Sequence, residues 1–435
     1  MPTSVLEKPS APERGMDLKT PVEEKNHGWR VTFAGMGINL ALGILYTWSV
    51  ISKGIPASWG WTEASKSLPY SIACIVFSIM MVPAGRMQDK ISPRLTATIG
   101  GVLVGAGMIL ASFTTTPIGF VIGFGALAGA GFGFGYASAT PPAVKWFPKA
   151  KTGVIAGIVV SGFGLAAVYA APLSKSLTTA FGLQNMMLIL GIGFLVVVVV
   201  LAQLLKAPKP GFKHPEDKPA AVAANGMVKK EEFTPTEMLG TWQFYVLWFM
   251  YVCGAGAGLM IIAKLAAIAK IQANIELGFV LVAVLALGNG GGRIGAGMLS
   301  DRIGRKWTML ISFISQAVFI FILSMARVGT PLASIPVLVV VSALIGVNYG
   351  ANLSLFPSIT KDYYGVDHFG TNYGLVFTAW GVGGFMLALL AGRLYDIHQT
   401  FAFAYYGASG LLVLAAIVLF FLKEPHHLEH NGVQA

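Results

Sequence analysis

The sequence predicts an all-α membrane protein of twelve transmembrane helices, arranged as two pseudo-symmetric six-helix bundles. Three observations carry that prediction. The composition is too apolar for a soluble chain, apolar segments of membrane-crossing length recur from end to end, and two similar charged loops sit at equivalent places in the two halves of the 435 residues. Hydrophobic residues make up 55% and charged residues 11%, against roughly 25% charged in an ordinary soluble domain. About twenty apolar residues in a helix cross a hydrocarbon layer of about 30 Å. The first 28 residues are polar, so the first apolar run is not expected to be a cleavable signal peptide.

The expected spans are 29–52, 64–85, 95–113, 117–144, 153–174, 183–205, 241–263, 275–297, 307–326, 334–360, 371–392 and 400–422. Residues 206–240 are polar and proline-rich and read as a flexible linker. The chain therefore divides into a tail (1–28), a first bundle (29–205), a linker (206–240), a second bundle (241–422) and a second tail (423–435). At the end of the linker, Thr234-Pro235-Thr236-Glu237 has the form of a capping box with proline at the first helical position. A short helix is expected to start there.

The net charge of +11 could suggest a nucleic-acid partner, but its distribution argues against one. With the N-terminus in the cytoplasm, 22 of the 30 Lys and Arg residues fall on the cytoplasmic side, seven fall outside, and Arg293 lies within the membrane. That asymmetry follows the positive-inside rule and places both termini in the cytoplasm of a multi-pass cell (inner or plasma) membrane protein. The basic balance thus reports topology, with the lipid bilayer as partner and no nucleic acid. Cys74 and Cys253 lie inside spans and read as small apolar fillers. No histidine falls at midspan, and neither H-E-x-x-H nor G-x-S-x-G occurs, so an enzyme, a metal or a cofactor is not expected. Gly290-x-Gly292-x-x-Gly295 matches a dinucleotide fingerprint, but no strand precedes it, and the match reads as coincidence.

The repeated loops are GRMQDKISPR, from Gly85 to Arg94, and GMLSDRIGRK, from Gly297 to Lys306. Each has the form G-x-x-x-D-[R/K], then a turn, then further basic residues. In these loops the chain resembles the major facilitator superfamily, whose halves are parallel repeats facing a midplane site. The resemblance marks Gly85, Asp89 and Arg94, and Gly297, Asp301, Arg302 and Arg305, as a conformational motif. Its aspartate would stabilise one closed state near a neighbouring helix N-terminus. Ser92 stands where the second copy has Gly304, which is expected to loosen the first turn. "YTWS", "KWFPKAKTGVIAG", "EMLGTWQFYVLW", "LFPSITKDYYG" and "NYG" are similar to segments of the oxalate/formate antiporter family, a relative of the monocarboxylate transporters. That similarity implies transport of a small organic acid anion.

Arg293 stands out among the glycines of LGNGGGRIGAG. It lies eight residues before Asp301, roughly 12 Å inward at 1.5 Å per residue. A central arginine costs about 2.5–3.5 kcal/mol on insertion scales, so it needs a compensating use. Its planar fork matches a carboxylate, and no Asp or Glu sits near the middle of any span to pair with it. The oxalate/formate antiporter family adds a lysine in span eleven, where this chain has Trp380, so a monoanion is expected rather than a dianion. The mammalian monocarboxylate transporters have an aspartate four residues before the arginine, where this chain has Asn289. Their span-one lysine is replaced by Trp48.

The other candidate cavity residues are Tyr136, Tyr349, Asn348, Asn352, Asn289, Tyr46, Phe377 and Trp380. Tyr136 and Tyr349 are implied by the resemblance, and Asn348 and Asn352 share a helix face. Lys53, Lys264, Lys270 and Glu276 read as charges snorkelling at the outer ends of spans. The expected function is secondary active transport of a small monocarboxylate, lactate first and pyruvate or formate next, with a proton as co-substrate. The alternatives are an obligate organic-anion exchanger of the oxalate/formate type and a non-transporting membrane sensor with the same fold.

Overall fold

The computed structural model describes residues 25–148, 152–209, 212, 232–365 and 368–425. Among them are eleven helices long and apolar enough to cross a membrane. Spans one to four are Gly28–Lys53, Glu63–Lys90, Pro93–Ser112 and Pro117–Val144. Next comes one stretch of 51 residues, Thr152–Ala202, about 77 Å of helix if straight and far more than a bilayer needs. It is not straight. Gly182 has φ 79 and ψ 165 in its middle, a conformation that glycine adopts and side chains avoid. The stretch is therefore two spans, five and six, turned against each other at Gly182. Spans seven to ten are Trp242–Ala273, Gly278–Ile303, Arg305–Met325 and Ile335–Tyr364, and spans eleven and twelve are Phe369–His398 and Ala402–Phe421.

These segments are helical throughout because nearly every backbone group must find its partner within the segment in a bilayer. Large apolar side chains such as Ile122, Val200, Ile294, Phe321 and Phe420 are exposed along the helices, as expected of a surface that faces lipid rather than water. Several helices outrun their hydropathy. Span two continues as helix through Arg86, Asp89 and Lys90, because charges at a helix end reach water without ending the helix. The capping box at Thr234 is present with both its reciprocal hydrogen bonds, and starts the short helix Pro235–Leu239.

Within the first six spans, helix three packs on four and on the five–six stretch, and helix one on five. Glycines make these contacts close. A side chain on Gly131 would meet Gly100 and Val104, and one on Gly100 would meet Gly135. Within the last six, eight packs along ten, seven along eleven, and nine along twelve. The halves join chiefly through span two with eleven and span five with eight, and also through the end of span one with span seven. The seam between the halves runs mainly along spans two, five, eight and eleven, and the short loops place both described chain ends on one face, here called the tail face.

The two repeated loops lie on the tail face. Gly304 has φ 91 and turns the chain between spans eight and nine. Its counterpart Ser92 is extended, with φ −171 and ψ 133, and its hydroxyl accepts from the amide of Leu95 to cap span three. The expected loosening is thus corrected: no left-handed turn is required there, and serine caps where glycine would not. Asp89 pairs with Lys145 at 3.4 Å. Asp301 accepts from Arg305 at 2.7 Å, and Arg305 also donates to Asp362 at 3.1 Å and to Ser300.

Candidate functional site

Arg293 is the centre of the site because it stands on one half and holds the other. Its Nε donates to Oδ1 of Asn289, one turn back on span eight, at 3.1 Å. Its Nη1 donates to the carbonyl of Val160 on span five at 2.9 Å. The guanidinium lies flat over Gly164, where a Cβ would come within 3.3 Å of Cζ and Nε. The side chain is 93% buried, with 7% exposed, and among the described residues no carboxylate forms an ion pair with it. Of the five guanidinium N–H groups, two are used by Asn289 and Val160. The Tyr136 hydroxyl lies beside the fork, and Nδ2 of Asn289 is buried with no partner.

A second layer closes the site on the side away from the tails. Nε1 of Trp380 donates to the Tyr349 hydroxyl at 2.9 Å, and the Tyr349 and Tyr46 hydroxyls share a hydrogen bond of 2.7 Å. Two hydroxyls sharing one bond leave one O–H proton over. Either hydroxyl can donate in that bond; with Tyr349 donating, the chain Trp380→Tyr349→Tyr46 leaves a proton on Tyr46 for an anion. Phe377 stacks on Trp380 at 5.2 Å and on Tyr136 at 6.3 Å. Phe77 and Phe163 complete the wall from the first half.

The structure therefore gathers Arg293, Asn289, Tyr136, Tyr46, Tyr349, Phe377 and Trp380. It does not bring Asn348 and Asn352 to them. Asn348 accepts from Ser315 at 2.6 Å, and Asn352 donates to Gln316 at 3.2 Å and to the Asn348 carbonyl at 3.0 Å. Both face span nine, inside the second half: Asn348 is turned about 100° from Tyr349 around the helix, and Asn352 follows Asn348 one turn on. Trp48 is also away from the site: it is buried against Phe124 and donates to the Lys66 carbonyl. Sequence reasoning missed Val160, Gly164, and also Tyr251 and Tyr373, whose rings meet Phe377 at 6.2 and 5.8 Å. The two tyrosines carried a signal, as hydroxyls inside apolar spans; a backbone carbonyl and a glycine carried none.

The halves also meet at the face opposite the tails, and here a second expectation is corrected. Lys264 does not snorkel. It is 3% exposed and pairs with Glu63 of span two at 2.9 Å, also donating to the Glu63 carbonyl at 3.0 Å. Burial forced this pairing, since an ammonium away from water needs a counter-charge. Glu63 also accepts from Lys66 on its own helix at 2.9 Å. Asp396 of span eleven caps the start of span two, accepting from the amides of Glu63 and Ala64 at 2.9 and 2.8 Å. Further out, Glu276 accepts from Lys53 of the first half at 3.0 Å and from Lys270. Hydrogen bonds from Lys270 and then Lys53 hold its carboxyl down at about 2. Among the described residues, the polar contacts across the seam lie at the level of Arg293 or further from the tails. The conformation is closed opposite the tail face.

Comparison with known proteins agrees with this architecture. Residues 32–294 and 265–435 match the Major Facilitator Superfamily. The oxalate:formate antiporter of Oxalobacter formigenes is 26% identical over 340 residues, covering 78% of this chain and 77% of that protein. Human monocarboxylate transporter 14 is 24% identical, covering 90% and 87%. Among solved structures, a bacterial homologue of the human lysosomal transporter Spinster, in an inward-facing and occupied conformation, has a TM-score of 0.66 at 15% identity. The match covers 92% of this chain and 97% of that one. With two six-helix halves meeting along spans two, five, eight and eleven, the chain belongs to the Major Facilitator Superfamily and is a multi-pass secondary transporter related to the oxalate:formate antiporter and the monocarboxylate transporters.

Proposed function

We propose that the chain transports a short monocarboxylate, lactate foremost and pyruvate or formate next, by alternating access around an anion held on Arg293. The observation that carries this reading is the buried guanidinium on the seam, with N–H groups to spare and no carboxylate partner among the described residues. Tyr136, Asn289 and the Tyr46 hydroxyl supply further donors, and Phe377 and Trp380 exclude water. One fixed cation favours a monoanion, and Trp380, held to Tyr349, adds no second charge. The names of the relatives, oxalate:formate antiporter and monocarboxylate transporter, fit an organic acid anion. Both termini lie in the cytoplasm in this reading, and uptake is proton-linked.

Exchange is the second reading, favoured by the same uncompensated charge. An empty carrier must reorient with a bare guanidinium, and an unpaired charge away from water is costly. A bound monoanion neutralises it, so loaded reorientation is faster than the empty return.

One experiment tests both: uptake of a labelled acid panel into proteoliposomes, with and without an imposed pH gradient, alongside lactate–lactate exchange. Lactate uptake should rise with an inward proton gradient, exchange should outpace net flux, and oxalate should compete poorly. Arg293→Lys should reduce transport sharply and Arg293→Leu should abolish it, with folding intact. Normal lactate flux through Arg293→Leu overturns the assignment. Uptake that ignores pH and follows membrane potential overturns proton linkage.

A further inference from the structure

The tail face carries an open cavity of about 400 Å³ where the start of span nine meets the ends of spans ten and twelve. Arg305 and Lys306 line it from span nine, Asp362 and Tyr363 from span ten, and Lys423 and Glu424 from just beyond span twelve. Its volume lies within the roughly 300–1,000 Å³ of small-ligand sites. The three cations are only partly engaged. Arg305 spends Nε on Asp362 and Nη1 on Asp301 and Ser300, which leaves Nη2 without a partner among the described residues. Lys306 donates once, to the Leu422 carbonyl at 2.5 Å, although an ammonium has three donors. Lys423 is exposed, and no ion pair among the described residues includes it.

In the first half the equivalent place is filled. Leu205-Lys206-Ala207-Pro208 after span six corresponds to Leu422-Lys423-Glu424-Pro425 after span twelve. Likewise Lys145-Trp146-Phe147 after span four corresponds to Lys361-Asp362-Tyr363 at the end of span ten. Trp146 is fully buried, meets Phe212 edge to face at 5.3 Å, and donates through Nε1 to the Lys206 carbonyl at 2.6 Å. An indole therefore occupies in one repeat the place that the smaller Asp362 leaves open in the other. Around the open copy, Trp307, Phe420 and Phe421 adjoin the lining segments and are exposed. Exposed rings beside cations mark the level at which helices pass from hydrocarbon to headgroups.

We propose that this cavity binds the phosphate of an anionic phospholipid from the leaflet on the tail face. Basic pockets between helix ends take anionic headgroups. Here a guanidinium edge and two ammonium groups converge from different helices, and each forms charge-assisted hydrogen bonds with phosphate oxygens. The exposed rings favour a lipid over free phosphate, because acyl chains have apolar surface to lie against. Asp362 and Glu424 oppose the anion and keep its affinity moderate. This site stands apart from Arg293 and its cargo.

The test is native mass spectrometry of the detergent-purified full chain, titrated with dioctanoyl phosphatidylglycerol, dioctanoyl phosphatidylcholine or inorganic phosphate. Phosphatidylglycerol should bind saturably and more tightly than phosphatidylcholine, and inorganic phosphate at equal concentration should not displace it. Each cation near the headgroups is worth about fivefold in affinity. Lys306→Gln combined with Lys423→Gln should therefore weaken phosphatidylglycerol binding about 25-fold. Arg86→Gln combined with Lys90→Gln removes two exposed tail-face cations from the first half and should change binding by less than about twofold, since neither lines the cavity. Glu424→Gln should tighten binding by up to about fivefold, a gain that a damaged fold does not produce.

Equal binding by the parent and the Lys306/Lys423 double variant, in protein of unchanged melting temperature, overturns the proposal. So does an equal loss in the Arg86/Lys90 double variant, which would mean attraction to the basic face as a whole. Displacement by inorganic phosphate at equal concentration overturns the lipid assignment and makes free phosphate the ligand. If the Lys306/Lys423 double variant melts early, Glu424→Gln decides: unchanged or weaker binding there overturns the site.

Discussion

Glu63→Gln should open the face opposite the tails, and the structure sets the size of the effect. The substitution removes the carboxylate from Lys264, whose side chain is 3% exposed against 14% for Glu63. Breaking a buried ion pair by removing one partner costs about 3–5 kcal/mol. The amide retains an oxygen, and the Glu63 carbonyl still accepts from Lys264, so a loss of about 2–3 kcal/mol is reasonable, below that range. At 1.4 kcal/mol per decade, the closed arrangement loses about 30- to 150-fold against states in which Lys264 reaches water. Cys74 supplies the readout. It is buried on span two, and its Sγ lies 3.0 Å from where a Cβ on Gly384 of span eleven would sit, so parting of the halves uncovers it. The assay is the rate of Cys74 modification by a charged thiol reagent, with Cys253 replaced by Ala. Glu63→Gln should speed modification within the stated range, while Lys66→Met, which leaves the Lys264 pair intact, should not. Equal rates in Glu63→Gln and the parent, in protein that melts normally, would refute the reasoning.

Gly164→Ala should weaken anion binding without unfolding the chain, because its Cβ comes within 3.3 Å of the guanidinium. The KM for lactate should rise on the order of tenfold, as misplacement of a positioning group does, and an unchanged KM would count against Arg293 as the anchor. Gly182→Ala should lower the melting temperature by a torsional cost of about 1–3 kcal/mol, since no atom lies within 4 Å to clash; an unchanged melting temperature would show that the turn relaxes. Glu276 gives the pH dependence. Its carboxyl is held at about 2 against 4.5, so its contribution is complete above about 4.5 and is lost as pH falls from there towards 2. The stability difference between Glu276→Gln and the parent should stay constant from pH 8 to 5 and shrink below that, and a difference varying between pH 6 and 8 would refute the assignment.

The helices were legible because length and hydropathy alone decide what crosses a bilayer, and span four matches its expected bounds of 117–144. Thr234 was legible because a capping box is local. Arg293 was legible because a lone charge in an apolar run has few structural uses. What escaped were relations between distant segments. Lys264 and Glu63 are 201 residues apart, and no local pattern pairs them, so Lys264 read as a solvated end. Asn348 and Asn352 were correctly placed on one face, yet which neighbour that face meets depends on the packing of span nine. The Val160 carbonyl was invisible in principle, since every residue has one. Its use follows only from how span five lies against span eight.

Because Arg293 is fastened to both halves, the fork that would hold an anion changes shape whenever the halves move. A cargo that fitted one arrangement far better than the other would act as a brake, for a ligand displaces an equilibrium by its difference in affinity between states. A transported acid must therefore be bound almost equally well before and after the movement, and only moderately in each. Small acids satisfy this by touching few groups. A larger acid reaching from Arg293 to contacts that exist on one side of the cycle alone would stall it, and that distinction separates a passenger from an inhibitor at this seam.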